Sequence, residues 1–257
     1  MKSYIIIDGI KISGYSLAAA TFDILQRYIN KSGGAYHLCN AYTLSLIKSN
    51  SYLEKALKNN CVNLADGLPL AILVNRFKKT RAVRGSDLFL NVLSVLKDYK
   101  AKHFLIGGKD ETINLMIENI NKQLPECLFA GSISPEFKEH TDSEIETWIQ
   151  TINKNKADII WLGLGTPKQD IYVEKMAKLL PNKIFIPIGA AFNFWAGTTK
   201  EAPKWIQHTG LEWAFRLAME PRRLFKRYLF GNLGFLWLIC KGFFLGNIRW
   251  ENNFNED

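Results

Sequence analysis

Cysteine is scarce. The 257 residues contain four, Cys39, Cys61, Cys127 and Cys240, with no C-x-x-C pair and no zinc-type spacing to His37, His103, His140 or His208. A disulfide framework and a sequence-encoded zinc centre are thereby excluded, and a reduced, cytoplasmic setting is expected. Also missing are D-x-D, H-E-x-x-H, a Walker phosphate loop and G-x-S-x-G. Metal chelation of a nucleotide, zinc hydrolysis, NTP hydrolysis and serine hydrolysis all lose support. The N-terminal stretch "MKSYIIIDGIKISG" carries an apolar run that stops at Asp8, too short for the core of an export signal. There is no internal repeat and no low-complexity tract.

What is present is ordinary globular material, 47% hydrophobic and 22% charged, enough for one large domain with or without an appendage. Apolar runs at "AYHLC", "CVNLA", "KHFLIGG", "CLFAG", "ADIIWLG" and "KIFIPIG" read as strands. Helical spacing predicts helices over Ser16–Lys31, Thr43–Asn59, Pro69–Phe77, Ser86–Lys100, Asp110–Leu124, Asp142–Asn155 and Pro167–Leu180. Such alternation predicts an α/β fold, a Rossmann-like mostly parallel sheet with helices on both faces. Ligands of such sheets bind beyond the C-terminal strand ends. The polar, glycine-bearing turns "CNAYT", "ADGLP", "GGKDE", "GLGTPKQ" and "IGAAFN" stand at those ends.

In "GLGTPKQD", residues 163–170, Thr166 suits an N-cap, Pro167 a first helical position and Gln169 the third position of a capping box. Alternatively, Gly163 and Gly165 free backbone N–H groups for a phosphate at the helix N-terminus. A dinucleotide fingerprint is disfavoured, because its third glycine is Lys168 here. Asp66, between an apolar strand and Gly67, suits a general base, or alternatively a cap for the helix at Pro69. Arg84 can pair with a diphosphate through its guanidinium fork, or simply with a neighbouring carboxylate. Asn40 can cap a helix or hydrogen-bond a sugar.

The formal net charge of +9 is concentrated late in the chain: residues 200–249 hold nine Lys/Arg against three Glu. "PRRLFKR" is followed by "LFGNLGFLWLICKGFFLG", Leu229–Gly246, which is shorter than the roughly 20 residues of a spanning helix and carries Asn232 and Lys241. It reads as a segment lying in a membrane interface or, alternatively, a terminal helix packed on the core. Gly242 and Gly246 form one GxxxG pair.

Taken in order, "ADGLPL", "RGSDLF", "FLIGGK", "GLGTPKQD", "IGAAFNFWAGTTKEAPKW" and "GLEWAFRLAMEPRRLFKRY" resemble the WecG/TagA/CpsF glycosyltransferases, glycosyltransferase family 26, up to about Tyr228. The resemblance implies a Rossmann-like fold of the type called GT-E, covering residues 1–198 as a catalytic domain, and a membrane-interacting appendage over 199–257. It implies metal-free, inverting transfer of a sugar, N-acetylmannosamine or its uronic acid or another hexose such as glucose, from a UDP donor to an undecaprenyl-diphosphate-linked sugar in surface polysaccharide synthesis. The family's catalytic Asp falls on Asp66. Its polar substrate contacts fall on Asn40, Arg84 and Gln169, and its appendage arginines on Arg216, Arg222, Arg223 and Arg227. Departures stand at Leu38, Asn193 and Glu201, where the family commonly has Thr, Asp and Arg. The expected partners are the UDP-sugar, the polyprenyl-diphosphate acceptor, the inner face of the cytoplasmic membrane and a second copy of the chain, with no nucleic acid and no cofactor. The rivals are a Rossmann-type oxidoreductase and a basic membrane- or nucleic-acid-binding module without catalysis.

Overall fold

The computed structural model describes residues 2–76, 80–207 and 209–253. In chain order the elements are β1 (Lys2–Ile7), β2 (Ile10–Ser13), α1 (Leu17–Ile29), β3 (Gly34–Cys39), α2 (Ala41–Ser45), α3 (Ser51–Lys58), β4 (Cys61–Ala65), α4 (Leu68–Val74), α5 (Gly85–Leu96), β5 (Lys102–Gly107) and α6 (Asp110–Gln123). There follow β6 (Leu128–Ile133), α7 (Asp142–Lys154), β7 (Ile159–Gly163), α8 (Lys168–Leu179), β8 (Ile184–Pro187), α9 (Ala191–Trp195), α10 (Lys204–Gln207), α11 (Glu212–Met219), α12 (Pro221–Phe244) and β9 (Ile248–Asn253). The strands are mostly parallel and interleaved with helices, the α/β class that the alternating pattern predicts. All six expected strands form. The expected helix over Thr43–Asn59 is instead two, α2 and α3, because Asn50 caps a new helix through Leu53 N at 2.9 Å. Phe77, expected at the end of α4, and His208 lie outside the described residues.

The chain forms two compact units. One comprises residues 19–37 and 85–200 and carries the strand order β6-β5-β7-β8-β3, parallel throughout. Its central strand β7 has Ile159, Ile160, Trp161 and Leu162 fully buried, as a strand covered on both faces requires. Trp161 Nε1 donates to His103 Nδ1 at 3.1 Å; burial pushes that imidazole down to about 3, so it stays neutral and accepts.

The other unit comprises residues 1–18, 38–84 and 201–257, with the order β4-β2-β1-β9. Here β2 runs parallel to β4, whereas β1 is antiparallel to both β2 and β9. The basic, apolar segment is one 24-residue helix, α12, preceded by α11 and followed by β9, whose Trp250 Nε1 donates to Leu73 O at 2.9 Å. One face of α12 packs inward through Leu224, Gly231, Phe235, Leu238 and Gly242. The outer face leaves Phe225, Leu229, Phe230, Leu233, Leu236 and Trp237 exposed. Among the described residues, no helix is long and apolar enough to cross a membrane.

α12 meets α2 at glycines. A Cβ on Gly231 would lie 3.0 Å from Tyr42 Cδ2 and 3.3 Å from its Cα, and one on Gly234 would lie 2.9 Å from Ser45 Cβ. The GxxxG pair noted in the sequence serves another purpose: a Cβ on Gly242 would meet Ile248 at 2.8 Å, and Gly246 lies beyond the helix at φ +70°. Gly231→Leu is therefore expected to cost about 1–3 kcal/mol of stability through overpacking, measured by urea denaturation. An unchanged midpoint would show that α12 does not need this close approach.

Candidate active site

The site is assembled where β3 and β4 end. Asp66 N donates to Cys39 O at 2.7 Å, which ties the two strand ends together and puts Asn40 beside Asp66. Asn40 caps α2: its Oδ1 accepts from Thr43 N at 3.1 Å and from Thr43 Oγ1 at 3.3 Å. With its oxygen so occupied, its Nδ2 donates to Asp66 Oδ2 at 3.3 Å. Gly67 then turns the chain into α4 at φ +97°, a conformation that side chains rarely adopt, and makes no side-chain cap. Asp66 is thus not the cap of α4; its carboxylate points into the site.

Three arginines act on that carboxylate. Desolvation raises the Asp66 pKa above the ordinary carboxylate value, while the Asn40 hydrogen bond and the charges of Arg216, Arg84 and Arg227 oppose the rise. Arg84 arrives because Val83 N donates to Ala65 O at 2.9 Å, laying residues 83–84 alongside the end of β4. Arg216 comes from α11 and Arg227 from α12, where its guanidinium stacks 4.3 Å from the centroid of the Tyr42 ring. Burial and the neighbouring Arg216 push the Arg227 pKa down from its usual value, which is the signature of clustered cations.

Arg84 is the residue whose surroundings differ most from expectation. Its guanidinium is buried and engaged internally: Nε donates to Glu212 Oε1 at 2.9 Å, Nη1 to Gln207 Oε1 at 2.9 Å and Nη2 to Glu201 Oε1 at 2.5 Å. Arg84 therefore does pair with carboxylates, though with ones far from it in sequence. Arg84 thereby fastens the start of the C-terminal segment beside Asp66. Burial raises the Glu212 pKa, with Asp66 and Glu201 adding to the rise and Arg84 opposing it. Arg222 and Arg223 are different again. Both are exposed in the first turn of α12, and Arg223 forms a two-pronged ion pair with Glu220 at 2.7 and 2.8 Å.

Gly163, Gly165 and Gln169 form a second group, in the other unit. Helix α8 starts at Lys168 after Pro167, without a side-chain cap, so the expected capping box on Thr166 is not made. Thr166 Oγ1 instead donates to Asp170 Oδ2 at 2.9 Å, and Asp170 Oδ1 pairs with His37 Nδ1 at 3.0 Å in the buried interior. Gln169 turns back to accept from Gly165 N through Oε1 at 3.0 Å. The Gly165 amide is therefore already used. Gly163 has a packing reason, since a Cβ there would lie 2.6 Å from the Phe192 ring.

Sequence reading missed Tyr42, Glu201, Gln207, Glu212 and Tyr228 as neighbours of Asp66 or its arginines. Tyr42 had a usable signal: it stands two residues after Asn40 in a strand-end turn. Among the described residues, no group of three or more His, Cys, Asp or Glu side chains is placed to hold a metal ion.

Comparison with known proteins gives the family. A relative from Bacillus subtilis (strain 168), an N-acetylglucosaminyldiphosphoundecaprenol N-acetyl-beta-D-mannosaminyltransferase, is 27% identical over 186 residues, or 71% of this chain and 70% of the relative. The model of the glycosyl transferase WecG/TagA/CpsF family matches residues 5–247, a span that includes Asn40, Asp66, Arg84, Gln169 and the arginines of α11 and α12. With nearly its whole length matched, this chain belongs to the WecG/TagA/CpsF family and is a glycosyltransferase.

Proposed function

We propose that the chain transfers N-acetylmannosamine or its uronic acid, with inversion, from a UDP donor to a sugar carried on undecaprenyl diphosphate. The observation that carries this reading is a desolvated Asp66 facing three guanidiniums at a strand end. Asp66 takes the proton of the acceptor hydroxyl as that oxygen attacks the anomeric carbon; the bond from that carbon to the donor phosphate oxygen breaks, and UDP leaves with the electron pair. Arg216 and Arg227 supply the positive charge that the departing diphosphate needs. Arg84, already holding Glu201 and Glu212, keeps α11 in place and sets the field at Asp66. Gln169 and its glycine turn form a preshaped loop for nucleotide or sugar.

The name of the Bacillus relative supports N-acetylmannosamine as the transferred sugar and an undecaprenyl-diphosphate-linked acceptor. An acceptor with a polyprenyl tail stays in the bilayer, so the enzyme must come to it. The outer apolar face of α12, with the exposed basic residues Arg222, Arg223 and Lys226 in its first turns, suits reversible attachment to the inner face of an anionic membrane.

A panel of radiolabelled UDP-sugars, offered with polyprenyl-diphosphate-GlcNAc, is expected to give product with the N-acetylmannosaminyl-type donor, and the product anomer should be opposite to that of the donor. Preferential transfer of glucose would select the UDP-hexose alternative. Vesicle binding without transfer from any donor would leave a membrane-binding module.

A further inference from the structure

At the far end of α12 the chain builds a polar recess of about 330 Å³, lined by Ile6, Asp8, Gly9, Lys48, Glu54, Lys58, Gly246, Asn247 and Arg249. Three cations and two carboxylates face it, and both carboxylates are already spoken for. Asp8 Oδ1 accepts from Asn247 Nδ2 at 3.1 Å and its Oδ2 pairs with Lys48 at 3.2 Å, while Glu54 pairs with Lys58 at 2.7 Å. These pairs fix the two ammoniums without exhausting them, since each has three donors. Arg249 makes no ion pair among the described residues. Two tight turns shape the rim: Asp8-Gly9, at φ +49° and +82°, and Gly246, at φ +70° and with open space where a side chain would stand. A recess with fixed donors and one positive charge in excess is matched to a singly charged phosphate ester.

The neighbouring residues identify the source of that phosphate. Phe243, Phe244 and Leu245 immediately precede Gly246 and are 48%, 91% and 53% exposed. An apolar tip continuous with an anion recess fits the boundary between acyl chains and headgroups. We infer that Lys48, Lys58 and Arg249 form a binding site for the phosphate of an anionic lipid headgroup, separate from the Asp66 cluster and seated beside the apolar tip of α12. The inference rests on the membrane reading of α12.

Two measurements on the full chain test it. In flotation with vesicles containing phosphatidylglycerol in phosphatidylcholine, Lys58→Gln/Arg249→Gln is expected to weaken partitioning by about 30-fold, from near 1 kcal/mol for each of the two charges at an anionic surface. Equal charge removal at Lys100 and Lys122 should do clearly less. In ¹H–¹⁵N NMR, glycerol 1-phosphate is expected to shift the amides of Gly9, Gly246 and Asn247, and the double variant should abolish the shifts. If the double variant keeps wild-type preference for anionic vesicles, the site is overturned while the membrane reading stands. If no vesicle is bound, the membrane reading fails. Amide shifts with glycerol phosphate or inorganic phosphate would in that case reassign the recess to a free phosphate ester, and their absence would remove the site altogether.

Discussion

Asp66→Asn is expected to lower transfer turnover by roughly 10²–10⁴-fold, the usual worth of a general base. The same substitution should not harm the fold, and at neutral pH it should help it. Desolvation raises the Asp66 pKa above its unfolded value, so folding favours the protonated form. The stability this lends is fully present below the unfolded pKa of about 3.9 and is lost as pH rises through the higher folded pKa. Above the unfolded pKa the native protein therefore holds this carboxyl group at a cost, which a neutral amide removes. Asn40, Arg216, Arg84 and Arg227 limit that cost without cancelling it. The variant should melt at the same temperature as wild type or higher, with turnover nearly gone. In wild type, kcat/KM should rise with pH on an acidic limb displaced above the ordinary carboxylate range, and the residual rate of the variant should lack that limb. Near wild-type turnover in the variant would refute the assignment, whereas a cooperative melt tens of degrees lower would mean that Asp66 is structural.

The strands most open to sequence reading were those buried on both faces, because β3, β4, β5, β7 and β8 are near-continuous apolar runs that end in turn residues. Strands β1, β2 and β9 were not anticipated. The run Tyr4–Ile7 was weighed only as an export signal, although Asp8-Gly9 between apolar stretches is the pattern of a two-residue hairpin and adopts its positive φ values. β9, with Arg249 and Glu251 in six residues, lacks a clear apolar run and is recognisable only through its pairing with β1. The position of Asp66 just beyond β4 is legible because its surroundings are local: a strand end, a glycine and a neighbouring turn. The partners of Arg84 could not, since Glu201 and Glu212 lie 117 and 128 residues along the chain. The spacing in "GTPKQ" points to Gln169 as the far member of a capping box on Thr166, but the bond that Gln169 makes is to Gly165. Thr166, drawn towards Asp170, is not available as a cap.

Replacing Phe230, Leu233 and Trp237 together with Gln is expected to weaken binding to anionic vesicles by roughly 10²–10³-fold. These side chains are 65%, 57% and 55% exposed on the outer face of α12 and are not among the residues it buries; Trp237 also lies under Lys241 Nζ, 4.6 Å from its ring centroid. Complete burial of such a side chain is worth about 1.5–3 kcal/mol, and partial insertion of three gives about 3–4 kcal/mol, which is the stated factor. Outer-face substitution is a cleaner test than ending the chain near Gly197. That truncation also removes β9 from β1, strips the Leu224, Phe235 and Leu238 packing, and takes Glu201 and Glu212 from Arg84, so loss of activity would follow from damage alone. The triple variant spares all of these, together with Arg216 and Arg227. Its thermal midpoint should match wild type. Transfer to a short-chain, water-soluble acceptor should be preserved, while transfer to a vesicle-embedded acceptor falls in step with binding. Residual vesicle affinity should become strongly salt-dependent, because only the basic turn and the Arg249 recess then remain to hold the surface. Full-rate transfer to the embedded acceptor by the triple variant would mean that α12 does not carry the enzyme to its lipid substrate.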